Sequence, residues 1–533
     1  MVSGDPATSE AARRFLNGLV ERRVPQRIRE RDHTVWRPDP REIVDRLGWL
    51  DAGEFLRPNL GDLDAFVGQV RSEGYQDVVL LGMGGSCLGP EVLRRSYGPV
   101  DGYPRLTMLD STVPGQISAV ANSIDPARTI FIVSSKSGGT IETLSFYRYF
   151  RGLADEALSR ESAGANFVAI TDEGTPLQRL GSEEGFRRVF LNPADIGGRY
   201  SVLSWFGMVP AALAGIDVRH LLGSAASMRD QCLDGSEENP GLQLGALLGS
   251  AALAGRDKVT LIAPPSIEGF GLWVEQMIAE SLSKEGRGIV PVADEPLLAP
   301  DCYGDDRLFV FLETPGCDEI SAAVDRLQQE GHPVARIPAR DCADLGAEFF
   351  RWEYATAVAG SILDVHPFDQ PDVQGAKDNT DRLLEAHLRA GALPEQEISG
   401  SVTSLLRQVN RGDYFAIISY MPVDAECDQL LQELRSRVMQ QCHIATTAGY
   451  GPRYLHSTGQ LHKGGPATGL YLHLTQGSRR DLPIPGERYG FDVLAAAQAI
   501  GDFEALTKLG RRVVSVDLGD NAADGLRRLL NEL

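Results

Sequence analysis

Apolar residues fall into two rhythms along this chain. From residue 77 onward, short apolar runs end in small or turn-forming residues and give way to stretches with a 3.6-residue period. The runs are DVVLLGMGGS (77–86), LTMLDST (106–112), IFIVSSKSGG (130–139), FVAITDEGT (167–175) and RVFLNPA (188–194). Strands this short and this apolar, alternating with helices, predict a parallel sheet buried on both faces by crossover helices. A second series repeats the plan in KVTLIAPPS (258–266), IVPVADE (289–295), LFVFLETPG (308–316) and VARIPAR (334–340). Helical sequence then covers Glu353–Gly360, and a further helix is expected from Pro371 towards Leu393, since proline suits a first helical position. The stretch from Glu395 to Leu405 reads as a linker. Beyond it come YFAIISYM (414–421), a helix near Asp424–Met439, GLYLHLT (469–475), a helix near Asp492–Leu509 and VVSVDLG (513–519).

The predicted fold class is α/β. An N-terminal helical segment (1–60) precedes two doubly wound parallel-sheet domains (61–235 and 236–395) and a smaller C-terminal domain (406–533), α+β or α/β. A chain of 533 residues is too long for one hydrophobic core, so several domains are required.

Charge changes this picture little. The formal net charge of −21 argues against non-specific nucleic-acid binding, which depends on Lys and Arg, but leaves room for a small anion at a locally positive site. No apolar run is long enough to span a bilayer, and the first residues carry no export pattern, so a cytoplasmic location is expected. The seven cysteines lack metal-type spacing and read as reduced thiols; Cys442 and His443 have no second cluster beside them, and no metal is expected.

The candidate chemistry begins at strand ends. Gly82–Ser86 (GMGGS) and Ser134–Thr140 (SSKSGGT) offer backbone N–H groups where helices begin, at the sheet edge where open α/β folds bind ligands. The second turn adds hydroxyls, which suits a terminal phosphate; the plainer reading is that the glycines allow tight turns. A dinucleotide fingerprint would need Gly where Cys87 stands. Arg199 lies in a glycine turn (GGRYS) and is either a surface arginine or a cation for charge developing on oxygen. On WVEQMIAESLSKEG (273–286), Gln276 and Glu280 share one helix face, where a carboxylate is paired or poised as a general base. Glu275 and Glu285 are expected to be exposed charges.

GMGGSCLGP, SSKSGGTIET, GGRYSVLS, QMIAES and HPFDQPDVQGAK stand in the order found in glucose-6-phosphate isomerases. The chain most resembles the phosphoglucose isomerase half of bifunctional transaldolase/phosphoglucose isomerases, over nearly its whole length. The transaldolase half has no counterpart, and no Schiff-base chemistry is expected. The resemblance implies two sugar-isomerase (SIS-like) domains and an aldose–ketose isomerase of carbohydrate metabolism. It would interconvert glucose 6-phosphate and fructose 6-phosphate through a cis-enediol, without a cofactor, as a homodimer. Gly85, Ser86, Ser135, Ser137 and Thr140 would hold the 6-phosphate with the Lys136 backbone, and Thr143 would flank them. Glu280 would be the base, Arg199 would stabilise the enediolate, Gln276 and Gln370 would position the sugar, and Lys377 would assist ring opening.

The chain departs from the family pattern at one point. The ring-opening histidine expected soon after the base is missing from GIVPVADEPLLAPDCYGDDR. The segment His456–Gly465 (HSTGQLHKGG) supplies two substitutes, of which His462, in GQLH, is the expected ring-opening group and His456 the lesser candidate. Both could equally be loop histidines, and His366 is expected to order a turn. A related reading adds mannose 6-phosphate as substrate. A different one is a non-catalytic sugar-phosphate sensor, against which Glu280, Arg199 and Lys377 together discriminate, since phosphate binding requires none of them.

Overall fold

The computed structural model describes residues 2–51, 53–372, 374–394, 400–477 and 481–533. The strands are β1 (Val2–Ser3), β2 (Asp77–Gly82), β3 (Arg105–Leu109), β4 (Thr129–Ser134), β5 (Phe167–Asp172), β6 (Arg188–Asn192), β7 (Lys258–Ile262), β8 (Val290–Val292), β9 (Arg307–Glu313), β10 (Val334–Pro338), β11 (Tyr414–Tyr420), β12 (Ala445–Tyr450), β13 (Gly469–Thr475) and β14 (Arg512–Asp517). They form three sheets, ordered β3-β2-β4-β5-β6, β1-β10-β9-β7-β8 and β12-β11-β13-β14. Every pairing is parallel except that of β1 with β10.

The first sheet shows why its strands read as unbroken apolar runs. Val78 and Leu80 of β2, with Ile130 and Ile132 of β4, enter one core cluster, while Val79, Leu81, Phe131 and Val133 enter another on the opposite face. Alternate residues of a strand point to opposite faces, so a sheet covered on both sides has no polar register to display.

Several elements depart from expectation. The N-terminal segment is not wholly helical: Val2 and Ser3 pair with Ala335 and Val334 at a sheet edge. The C-terminal unit, expected as α+β or α/β, carries a purely parallel sheet, which decides against α+β, and is doubly wound like the others. The helix expected from Pro371 spans Gln374–Ala390, after a turn at 371–372. Residues 395–399 of the expected linker lie outside the described residues, and Val402–Leu406 within it is a short helix. All seven cysteines are free.

Two packing contacts set up the site. The helix Phe491–Lys508 of the C-terminal unit lays Phe491, Leu494 and Ala497 against the β4 face of the first sheet, together with Leu383 and Leu384 of Gln374–Ala390. Tyr414, Tyr454 and Tyr471 of the same unit form one cluster with Ala279, from the helix Phe270–Leu282. The third sheet unit is thereby wedged between the phosphate-type turn and the Glu280 helix.

Candidate active site

The SSKSGGT turn leaves β4 and leads into a 17-residue helix, Ile141–Ala157, whose N-cap Thr140 makes no side-chain capping bond to the helix. Thr140 therefore leaves the first amides uncapped, as an anion site requires. Ser135 Oγ accepts from Gly138 N at 3.1 Å and lies 2.9 Å from Thr140 Oγ1; Ser137 Oγ accepts from Gly139 N at 3.4 Å. Lys136 holds the turn from below, its Nζ bonding the Asp172 carboxylate and, at 2.9 Å, the Ala194 carbonyl.

The GMGGS turn is a packing centre as well as an anion-type turn. Gly84 has φ +53°, and a Cβ there would lie 2.7 Å from the His456 carbonyl; one on Gly85 would lie 2.0 Å from that of Gly198. Glycine lets three loops meet at this point. Ser86 is buried at the foot of the turn, its carbonyl accepting from Ser134 Oγ at 3.3 Å.

Glu280 is 4 % exposed and fully engaged. Arg199 Nη1 donates to its Oε2 at 3.2 Å, Gln370 Nε2 to Oε2 at 2.7 Å and Gln276 Nε2 to Oε1 at 3.2 Å. Burial pushes its carboxyl above the usual glutamate range, against the pull of the Arg199 charge and these bonds. Arg199 is oriented by Ser281 Oγ at 2.8 Å and by the carbonyls of Pro367 and Asp369 at 3.1 and 2.9 Å. Lys284 grips Asp369 from the same helix end, Nζ donating to the carbonyl at 2.6 Å and to Oδ1 at 2.5 Å. His366 orders the turn before Gln370, its Nδ1 accepting from Phe368 N and Asp369 N at 3.1 and 3.3 Å.

The cradle and the carboxylate are joined through the third sheet unit. Gln276 Nε2 also donates to the His456 carbonyl at 2.8 Å, and the His456 ring lies with Nε2 2.9 Å from Glu142 Oε1. Ser137, Thr140, Glu142, Lys377, His456, Lys463 and Gln498 line one cavity of ≈ 210 Å³. A second, of ≈ 290 Å³, is lined by Lys136, Gly198, Arg199 and Gln370 among others.

His462 lies elsewhere. It is 1 % exposed, with its ring centroid 5.1 Å from that of Tyr471 and 5.8 Å from that of Tyr454, and Nδ1 has no hydrogen-bond partner. Burial, and then the adjacent Lys463 charge, lower its pKa to about 3. Glu280 also lines neither cavity, but it is bonded to Arg199 and Gln370 of the second, whereas the neutral His462 ring is packed between tyrosines and is badly placed to act on a sugar; His456, the lesser candidate from sequence, lines the cleft instead. Thr143 is fully buried, its hydroxyl without a partner, and it too lines neither cavity. Lys377 is exposed at the cleft wall. Glu275, expected as an exposed charge, is buried at 8 % exposure and its carboxyl is pushed up to about 8, because its helix is covered on that side by the third sheet unit. Glu285 is exposed as expected and pairs with Arg37 at 3.1 Å.

Sequence reasoning passed over Glu142, Lys284, Lys463 and Gln498. Glu142 carried a readable signal, because a carboxylate in the first turn beside an anion site needs a cationic or donor partner. Gln498 carried none, since its contact spans 356 positions.

The model of the phosphoglucose isomerase family matches residues 64–284, which include both Gly/Ser turns, Arg199 and Glu280. A glucose-6-phosphate isomerase from Rubrobacter xylanophilus is 32% identical over 362 residues, 58% of this chain and 82% of the relative. Another from Citrifermentans bemidjiense is 28% identical over 513 residues, 82% of this chain and 91% of the relative. Among solved structures, a hypothetical protein from Thermus thermophilus superposes with a TM-score of 0.61 at 25% identity, covering 72% of this chain and 99% of that one. A glucose-6-phosphate isomerase from Chlamydia trachomatis shares the fold, with a TM-score of 0.58 at 19% identity, over 74% of this chain and 87% of that one. Among the described residues no helix is long and apolar enough to cross a membrane. With its Gly/Ser turns and its Arg199–Glu280 cluster inside the matched segment, this chain belongs to the glucose-6-phosphate isomerase family.

Proposed function

We propose that the protein interconverts glucose 6-phosphate and fructose 6-phosphate, with Glu280 moving a proton between C2 and C1 of the open-chain sugar. The observation that carries this reading is the buried Glu280 carboxylate held by Arg199, Gln276 and Gln370. A buried carboxylate with a raised pKa is a stronger base than one in water, and a fixed guanidinium beside it stabilises the oxyanion that forms as the proton leaves. The two glutamine amides can exchange Glu280 for sugar hydroxyls, which frees the base as the substrate arrives. In this reading Ser86, Ser135, Ser137 and Thr140 hold the phosphate with the Gly85 and Lys136 backbone.

Ring opening passes to His456 in place of His462, with Glu142 behind it and Lys377 across the cleft. The units 61–235, 236–395 and 406–533 would then each lend part of the site, the last supplying His456. A cytoplasmic homodimer is the setting that the resemblance implies; light scattering on the purified chain tests the dimer.

A coupled assay following glucose 6-phosphate formation from fructose 6-phosphate tests the activity. Glu280→Gln should lower turnover by about 10²–10⁴-fold, the usual range for a general base, with hexose-phosphate binding retained. Near-normal turnover in that variant removes Glu280 as the base. Because the carboxyl is raised by burial, the acid limb of kcat should lie above the ordinary glutamate range.

A further inference from the structure

Behind the Glu142–His456 pair stands a chain of buried hydrogen bonds. Glu142 Oε1 accepts from two donors, His456 Nε2 at 2.9 Å and Gln498 Nε2 at 2.7 Å. The other end of the Gln498 amide is taken as well, its Oε1 accepting from Thr112 Oγ1 at 2.7 Å. Thr112, Glu142 and Gln498 are all buried, so the Thr112–Gln498 and Gln498–Glu142 bonds are shielded from bulk water, while the His456 bond lies at the cleft edge.

The arrangement has a direction. With Thr112 donating to the amide oxygen, the Gln498 NH₂ faces Glu142, and its convergence with His456 Nε2 on the one Oε1 favours the ionised carboxylate over the protonated one. An ionised Glu142 in turn requires His456 to present Nε2–H to it. The lone pair of the neutral ring then sits on Nδ1, away from Glu142. The state of one end of the chain thus selects the tautomer at the other. Burial works to raise the Glu142 carboxyl, yet the charge and bond of His456, its own backbone N–H and the Lys377 charge hold it below the usual glutamate range.

We infer that Gln498, oriented by Thr112, is a positioning residue of the isomerase site: it keeps Glu142 an acceptor and His456 in its Nε2–H tautomer. The inference rests on the reading of His456 as the ring-opening group. It also gives the C-terminal unit a second part in the site, since the helix Phe491–Lys508 delivers Gln498.

The test uses the full chain labelled with ¹⁵N-histidine, the His456 signals being identified by their loss in His456→Ala. Gln498→Leu should lower kcat on cyclic hexose phosphate about tenfold, the worth of one hydrogen bond to a charged group. It should also turn the His456 spectrum from a single Nε2–H form into a tautomer mixture. Thr112→Val, which removes the hydroxyl at constant shape, should produce the same change in weaker form, and Thr112→Ser should restore both rate and spectrum. An unchanged His456 spectrum in Gln498→Leu, or a Thr112→Val variant equal to wild type, overturns the inference. If Gln498→Leu does not fold, the Thr112 pair decides. Wild-type turnover in His456→Ala is a different failure: it removes the ring-opening reading itself, whatever the spectra show.

Discussion

His456 and His462 stand on neighbouring short helices, Arg453–His456 and Gly459–Gly464, in opposite surroundings. His456 is partly exposed, lines the cleft and has a carboxylate partner that is itself tied into a buried network. His462 packs between tyrosines, and its pKa lies at about 3. In local sequence both look alike, an imidazole in a glycine-rich turn. Their difference comes from what approaches from outside the segment. The Ile141–Ala157 helix brings Glu142 to one ring, and the third sheet brings Tyr471 to the other. A histidine's chemistry is thus set by its neighbours across the fold, and a motif match alone cannot choose between two such rings.

His456→Ala should lower turnover on cyclic substrate by about 10²–10³-fold, as loss of a general acid–base group does, measured by the coupled assay. Parity with wild type would end the assignment. Glu142→Gln keeps the shape but removes the charge, and should cost about 10–100-fold through the lost charge-assisted bond, with little change in KM.

At His462 the expected effect is on stability. His462→Ala leaves a hole between Tyr454 and Tyr471 and should destabilise the protein by about 2–4 kcal/mol in urea unfolding, while turnover per folded molecule stays within about twofold. A large loss of turnover in that variant, with stability unchanged, would reverse the two roles. The smallest effect concerns pH. His462 binds a proton in the unfolded chain below its ordinary value near 6.5, but in the folded chain only near 3. The unfolded state therefore gains protons first, and the stability present above pH 6.5 is lost as the pH falls towards 3, by up to about 1.4 kcal/mol per pH unit. His462→Phe should flatten that part of the curve; an unchanged slope would show that His462 titrates normally.

Much of the architecture was legible in the chain. The strands β2, β5, β7, β11 and β13 fall within the apolar runs read from sequence, and β4 and β9 begin one residue before theirs, because burial on both faces leaves an unbroken apolar signal. The turns after β2 and β4, and the shared face of Gln276 and Glu280, were readable for the same reason: each is a local pattern of a few residues. The pairing of β1 with β10, the parallel third sheet and the burial of Glu275 were not readable, since each depends on partners far away in sequence.

By itself the sequence determined the apolar strands, the glycine and hydroxyl turns that end them, and the carboxylate–amide face of the Glu280 helix. These are consequences of strand and helix periodicity and of the backbone freedom of glycine. The tertiary structure alone decided which histidine faces the cleft, that Glu142 stands behind it, and that Thr112 and Gln498 meet although 386 positions apart. The physical reason is that hydrogen bonding and burial act through space. The third sheet unit docks through Phe491, Leu494 and Ala497 on the first, and that apolar contact carries Gln498, whose polar role no local pattern announces, to Glu142.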